Sequence, residues 1–234
     1  MMLINENDIV LELQRHLFQR AEQQASPHAV LSCSLRITQN SRDVAPEDVF
    51  VALKGHDLDG ARFIANAIEN GASAILFDTL CDQNYLNEPS VQSAIQQNSI
   101  CVIQVDNLRQ KLPAICRWFY LGDKAHLPVI GITGTNGKTS VADLFYQLLT
   151  LNNIPAASIG TLGIKYKNKI VNTGLTSPDT ISIHKYLQIL KKNKIDNVII
   201  EASSHGLDQY RLHNIKFKAG IFTNFSQDHL DYHK

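Results

Sequence analysis

Residues 128–140 read PVIGITGTNGKTS, and the helical pattern VADLFYQLLTL follows at once. The apolar run 128–133 reads as a strand. Residues 139–151 read as a helix, with Val141, Leu144, Phe145, Leu148 and Leu149 at core spacing. Between them lies a glycine turn. A helix start presents unpaired N–H groups and the positive end of the helix dipole, so a strand, glycine turn and helix in this order form a phosphate-holding device. Gly134 and Gly137 let the chain curl close to an anion. Lys138 supplies a point charge for outer phosphates, and the Thr139 hydroxyl is placed to ligate Mg²⁺. The expected ATP site therefore covers Gly134, Thr135, Asn136, Gly137, Lys138, Thr139 and Ser140. The common form of this loop has glycine at position 132, where this chain has Ile132.

Outward from that loop, apolar runs alternate with amphipathic stretches, the pattern of βαβ units and a mostly parallel sheet. Strands are predicted over 49–53, 74–77, 100–105, 198–201 and 219–223. Helices are predicted over 59–70, closed by Gly71, and over 108–121. Residues 79–98 are rich in Asn, Gln and Ser and read as a surface excursion. The fold class is α/β: a small N-terminal α/β domain over 1–107 and a phosphate-loop domain over 108–234, incomplete at its C-terminus.

Composition narrows the function classes. The chain has 234 residues, 44% hydrophobic and 19% charged, and 22 Lys plus Arg balance 22 Asp plus Glu. That balance offers no bulk attraction to nucleic acid or an anionic membrane. Cys33, Cys81, Cys101 and Cys116 lie far apart, which argues against a zinc knuckle or a disulfide framework. No apolar run reaches the length of a membrane span, and the acidic N-terminus is unlike a signal peptide. The expectation is a cytoplasmic monomer with no nucleic-acid or membrane partner.

Two polar clusters follow strand ends. Glu201 ends the run Val198–Ile200, where a carboxylate can hold the Mg²⁺ that bridges ATP phosphates. Residues 203–211, SSHGLDQYR, follow it, and Arg211 can clamp a carboxylate or phosphate. Residues 226–233, SQDHLDYH, repeat the situation with two His and two Asp, at a spacing unlike a HExxH zinc site.

GITGTNGKTS, LTSPDT at 175–180, EASSHGLDQYRL at 201–212, FTNFSQDHLDYH at 222–233 and NSRDVAPEDVFVALKGHDLDG at 40–60 together resemble the Mur ligase family. The resemblance implies an ATP-dependent, amide-forming ligase of peptidoglycan biosynthesis. It would add the third amino acid, meso-diaminopimelate or L-lysine, to UDP-N-acetylmuramoyl-L-alanyl-D-glutamate through an acyl phosphate. It implies catalytic roles for Lys138, Glu201 and His229, and Mg²⁺ ligation by Thr139, Glu201 and His229. UDP-sugar-peptide contacts would fall on Ser41, His56, Asp57, Leu58, Thr176, Ser177, Ser203, Gln209 and Arg211. The sequence departs from the family pattern at Asn40 (usually Asp), at Ser140 (usually Thr) and at Ser177 and Asp179 (commonly Thr and Glu). The family also carries a lysine beyond DHLDYH and a C-terminal domain that grips the amino acid. The expectation is accordingly a truncated or split chain that ligates poorly. A folylpolyglutamate-synthase-like relative and a non-catalytic nucleotide-binding remnant are the alternatives.

Overall fold

The computed structural model describes residues 6–23, 36–55, 58–122, 127–230 and 232. The chain divides into two compact units, Met1–Ile115 and Cys116–Lys234.

In the first unit, strands β1 (Ile37–Thr38), β2 (Val49–Ala52), β3 (Ala74–Asp78) and β4 (Cys101–Val105) form a four-stranded sheet in that order, with every pairing parallel. β2 and β3 are buried along their whole length, which is why VFVA and AILF read as unbroken apolar runs. Helix α1 (Glu6–Gln23) packs on β4 and buries Ile9 and Leu13 completely. The predicted helix over 59–70 divides in two. A 3₁₀ turn, Gly60–Phe63, is capped by the Asp59 carboxylate accepting from the Ala61 N–H, and α2 (Ile64–Glu69) follows.

The stretch 79–98 corrects the sequence reading. It carries a 3₁₀ turn, Gln83–Asn87, and helix α3 (Pro89–Gln96), and it buries Leu86, Val91 and Ala94 against Phe50, Phe77 and Ile64. A helix this short shows too few apolar positions for its period to stand out among Asn, Gln and Ser. Helix α4 (Leu108–Leu121) follows β4, and the division between units falls within it.

The second unit holds a six-stranded sheet of β5 (Val129–Thr133), β6 (Ala156–Gly160), β7 (Gly163–Tyr166), β8 (Lys169–Val171), β9 (Asn197–Glu201) and β10 (Phe217–Phe222). The spatial order is β10-β5-β9-β6-β7-β8. β10, β5, β9 and β6 run parallel, while β7 and β8 return antiparallel. Helix α5 (Lys138–Leu151) covers one face, where Val141, Ala142, Phe145 and Leu149 pack with Ile132 and Ile199. Helix α6 (Thr180–Lys192) covers the other, where Ile183, Leu187 and Leu190 meet Val198 and Ile200. The alternation of Val198, Ile199 and Ile200 between the two helices is the two-residue period of a strand. Asp179 caps α6 by accepting from the Ser182 N–H at 2.9 Å. A short helix, α7 (Ser204–Asp208), follows β9.

Candidate functional site

The strand order sets the C-terminal ends of β5, β9 and β6 side by side, the usual ligand edge of a parallel sheet. Ile132 is paired with Glu201, and Ile159 with Ile200. The phosphate-type loop therefore leaves the sheet beside Glu201.

The loop is shaped by its glycines. Gly134 has φ +129°, and a Cβ there would lie 2.2 Å from Thr223 Oγ1. Gly137, at φ +83°, starts α5 with no side-chain cap, so the first-turn amides keep the unpaired state common to helix starts. The amides of Thr135 and Asn136 point elsewhere. The Thr135 N–H donates to Asn224 O at 3.1 Å, and the Asn136 N–H to Asn224 Oδ1 at 2.9 Å. Thr223 Oγ1 donates to Asn136 O at 2.6 Å, and the Ser226 N–H to Thr135 Oγ1 at 2.9 Å. Segment 223–226 thus straps the loop from outside. Amides left facing a phosphate belong to the start of α5, at Lys138, Thr139 and Ser140. Lys138 Nζ donates to the carbonyls of Gly134 (2.7 Å) and Thr135 (2.9 Å). An ammonium has three donors, so one remains for an anion above the loop.

Glu201 is 2% exposed. Its Oε2 accepts from Thr139 Oγ1 at 2.8 Å and lies 3.1 Å from Thr161 Oγ1; its Oε1 accepts from the Thr161 N–H at 3.0 Å. Thr176 Oγ1 stands 3.0 Å from Thr161 Oγ1. One carboxylate and three hydroxyls make an all-oxygen, hard donor set of the kind Mg²⁺ takes. Among the described residues no group of three His, Cys, Asp or Glu could hold a metal by itself. The set therefore fits a cation that brings ligands of its own, as nucleotide-bound Mg²⁺ does.

A second cluster adjoins it. Ser177 Oγ donates to Glu201 O at 2.8 Å and accepts from the Ser203 N–H at 3.1 Å. Arg211 Nη1 donates to Ser177 O at 2.6 Å, while its Nε and Nη2 both donate to Gln209 Oε1. Ser203 caps α7 by accepting from the Gly206 N–H. Ser177, Ser203, Gln209 and Arg211 thus form one connected network, and Thr176 joins it to the Glu201 site. His229 stands in another setting: its ring meets His205 edge-on at 4.6 Å, and its Nε2 lies 3.6 Å from Asp228 Oδ2. Gln209 Nε2 donates to Tyr232 OH, which donates to Asp208.

In the first unit, Ser41 lies in a 3₁₀ turn capped by Asn40, and its carbonyl accepts from Asn70 Nδ2 at 2.9 Å. A cavity of about 300 Å³ opens there, lined by Gln39, Asn40, Ser41, Phe63, Asn66 and Asn70 among others. Leu58 is 55% exposed. His56, Asp57, Asp231, His233 and Lys234 lie outside the described residues, as does Cys33. The described cysteines are poor nucleophiles: burial pushes Cys81 up to about 12 and Cys101 up to about 11, and raises Cys116 well above its ordinary value.

Two family models match the chain. "Mur ligase family, catalytic domain" covers residues 36–120, and "Mur ligase middle domain" covers residues 132–234. The chain belongs to the Mur ligase family. Among its relatives is UDP-N-acetylmuramoyl-L-alanyl-D-glutamate–2,6-diaminopimelate ligase of Haemophilus ducreyi, 40% identical over 200 residues, covering 85% of this chain and 40% of the relative. The same-named protein of Wigglesworthia glossinidia brevipalpis is 39% identical over 198 residues, covering 85% and 39%. A solved structure of a UDP-N-acetylmuramoyl-L-alanyl-D-glutamate–2,6-diaminopimelate ligase superposes with a TM-score of 0.66 at 26% identity, over 85% of this chain and 38% of that one. The chain thus spans about two fifths of the length of the relatives it matches. The α/β class with parallel sheets expected from the sequence is the architecture found.

Sequence reasoning missed Thr161 and Gly160, which lie against Glu201. A Cβ on Gly160 would lie 2.0 Å from Glu201 Oε1. The one available signal was the GTLG stretch at 160–163, which resembles a turn and nothing more.

Proposed function

We propose that this chain forms the acceptor-binding and ATP-binding parts of a ligase that extends UDP-N-acetylmuramoyl-L-alanyl-D-glutamate by one amino acid. The names of the relatives favour 2,6-diaminopimelate over L-lysine as that residue. The observation that carries the reading is the meeting of Thr139 and Glu201 at 2.8 Å beside a glycine loop and an uncapped helix start. Thr139 and Glu201 would hold a Mg²⁺ ion, which when bound offsets charge on the ATP phosphates. The Lys138 ammonium and the first-turn amides of α5 would bind the outer phosphates and hold them still.

Arg211, fixed by Ser177 and Gln209, would orient the acceptor near that phosphate, so that its carboxylate becomes an acyl phosphate open to attack by an amine. The cavity beside Ser41 has amide side chains for a uracil edge and Phe63 for its face, which supports a uridine role there. The roles of His56, Asp57, Leu58 and His229 rest on the family resemblance alone.

The test is calorimetric titration of ATP with Mg²⁺ into the 234-residue chain and into Lys138→Ala. The parent should bind in the micromolar range and the variant roughly 100-fold more weakly, the loss of one charge-assisted contact of about 3 kcal/mol. Equal affinity for both would refute the loop's role. ADP release with the UDP-muramoyl dipeptide and 2,6-diaminopimelate would then test ligation itself.

A further inference from the structure

Thr161 is the residue that the family-level reading leaves without a task, and it meets both oxygens of the Glu201 carboxylate, one through its main chain and one through its side chain. It sits at the tip between β6 and β7, where the chain reverses from Gly160 to Gly163. Its main-chain N–H grips Oε1 at 3.0 Å and its hydroxyl lies 3.1 Å from Oε2. The same hydroxyl lies 3.3 Å from Thr139 Oγ1 and 3.0 Å from Thr176 Oγ1.

The donor arithmetic follows from chemistry. A carboxylate only accepts, and each threonine hydroxyl has one proton. The protons of Thr139 and Thr161 both have Oε2 within reach, and Thr161 also reaches Thr176 Oγ1. Thr139 keeps its lone pairs for a cation only while its proton has that acceptor. A two-point grip by Thr161 holds the acceptor in place. Gly160 leaves the room for it, because a Cβ there would overlap the carboxylate.

We propose that Thr161 is a positioning residue that fixes the Glu201 carboxylate for the nucleotide-bound cation and joins it, through Thr176, to the acceptor network. This rests on the nucleotide reading above and deepens it. It concerns affinity for the cation, so its signature is a shift in Mg²⁺ dependence without a shift in cation-free nucleotide binding. A group merely needed for folding would move both.

The experiment titrates a fluorescent ATP analogue into the full chain at a series of Mg²⁺ concentrations and again in EDTA. It compares the parent, Thr161→Ala and Thr161→Ser. Removing one hydrogen bond to a charged group should raise the Mg²⁺ concentration for half-maximal binding roughly tenfold in Thr161→Ala. Affinity in EDTA should stay within about twofold, and Thr161→Ser should behave as the parent. An unmoved Mg²⁺ midpoint in Thr161→Ala overturns the proposal and leaves the nucleotide reading standing. So does an equal loss in EDTA, or a failure of serine to rescue. A parent chain that binds no nucleotide at any Mg²⁺ concentration overturns both.

Discussion

Gly160→Ala puts one methyl group into the site and tests how tightly Glu201 is held. The glycine has no positive φ, so alanine brings no backbone strain of its own. The cost is steric: the new Cβ would stand 2.0 Å from Oε1, 2.4 Å from Cδ and 2.7 Å from Cγ of Glu201. Glu201 is buried, so the side chain has little room to yield. Overpacking of this kind costs about 1–3 kcal/mol. A carboxylate pushed aside also strains its bonds to Thr139 and Thr161, each worth about 1 kcal/mol net once water replaces part of the loss. The sum is roughly 3–5 kcal/mol, or a fall in thermal midpoint of about 6–20 °C for a chain of this size. Differential scanning calorimetry reads this directly, with Gly220→Ala, whose Cβ meets nothing within 4 Å, as the control. A second background isolates the cause. In Glu201→Ala the clashing atoms are gone, so adding Gly160→Ala should cost less than about 1 kcal/mol. An equal penalty in both backgrounds would refute the reasoning, because it would place the strain somewhere other than the carboxylate.

Two further outcomes follow from buried polar groups. His184 is fully buried on α6, and its Nδ1–H donates to Thr180 O at 2.8 Å while Nε2 has no partner among the described residues. Burial, aided by the nearby Arg117 charge, lowers its pKa from 6.5 to about 4 against the opposing pull of the Thr180 carbonyl. Below pH 6.5 the unfolded chain takes up a proton that the folded chain refuses until about pH 4. Stability should therefore fall by up to about 3 kcal/mol across that window, and His184→Leu should flatten that part of a urea-midpoint profile. Asp48 is 1% exposed and accepts from the Arg36 side chain and from the N–H groups of Arg36 and Ala45. Asp48→Ala should destabilise the first unit by about 2–3 kcal/mol in denaturant titration, leaving several donors without their acceptor.

Much of the fold was legible because its signals are local. VFVA, AILF and VIGIT are apolar runs, and the glycine loop is read from neighbours in the chain. The short helix at 89–96 was not, since about two turns of amphipathic pattern are lost among polar residues. The β7–β8 return was missed for a related reason. Lys169 and Ile170 are exposed at the sheet edge, where no run of apolar residues marks a strand.

The site divides in the same way. The sequence by itself determined the loop, its lysine and threonine, and a carboxylate ending an apolar strand, because each is written within a few adjacent residues. Only the tertiary structure decided that this carboxylate meets Thr139, 62 positions away, and Thr161, 40 positions away. It also decided that Asn224 and Ser226 strap the loop and that Asn224 consumes two of its amides. The physical reason is the strand order. Setting β5 between β10 and β9, and β6 next to β9, brings four separate chain segments to one edge of the sheet. That order is chosen by burial of Val198, Ile199 and Ile200 between two helices, a balance of packing energies that no local pattern records.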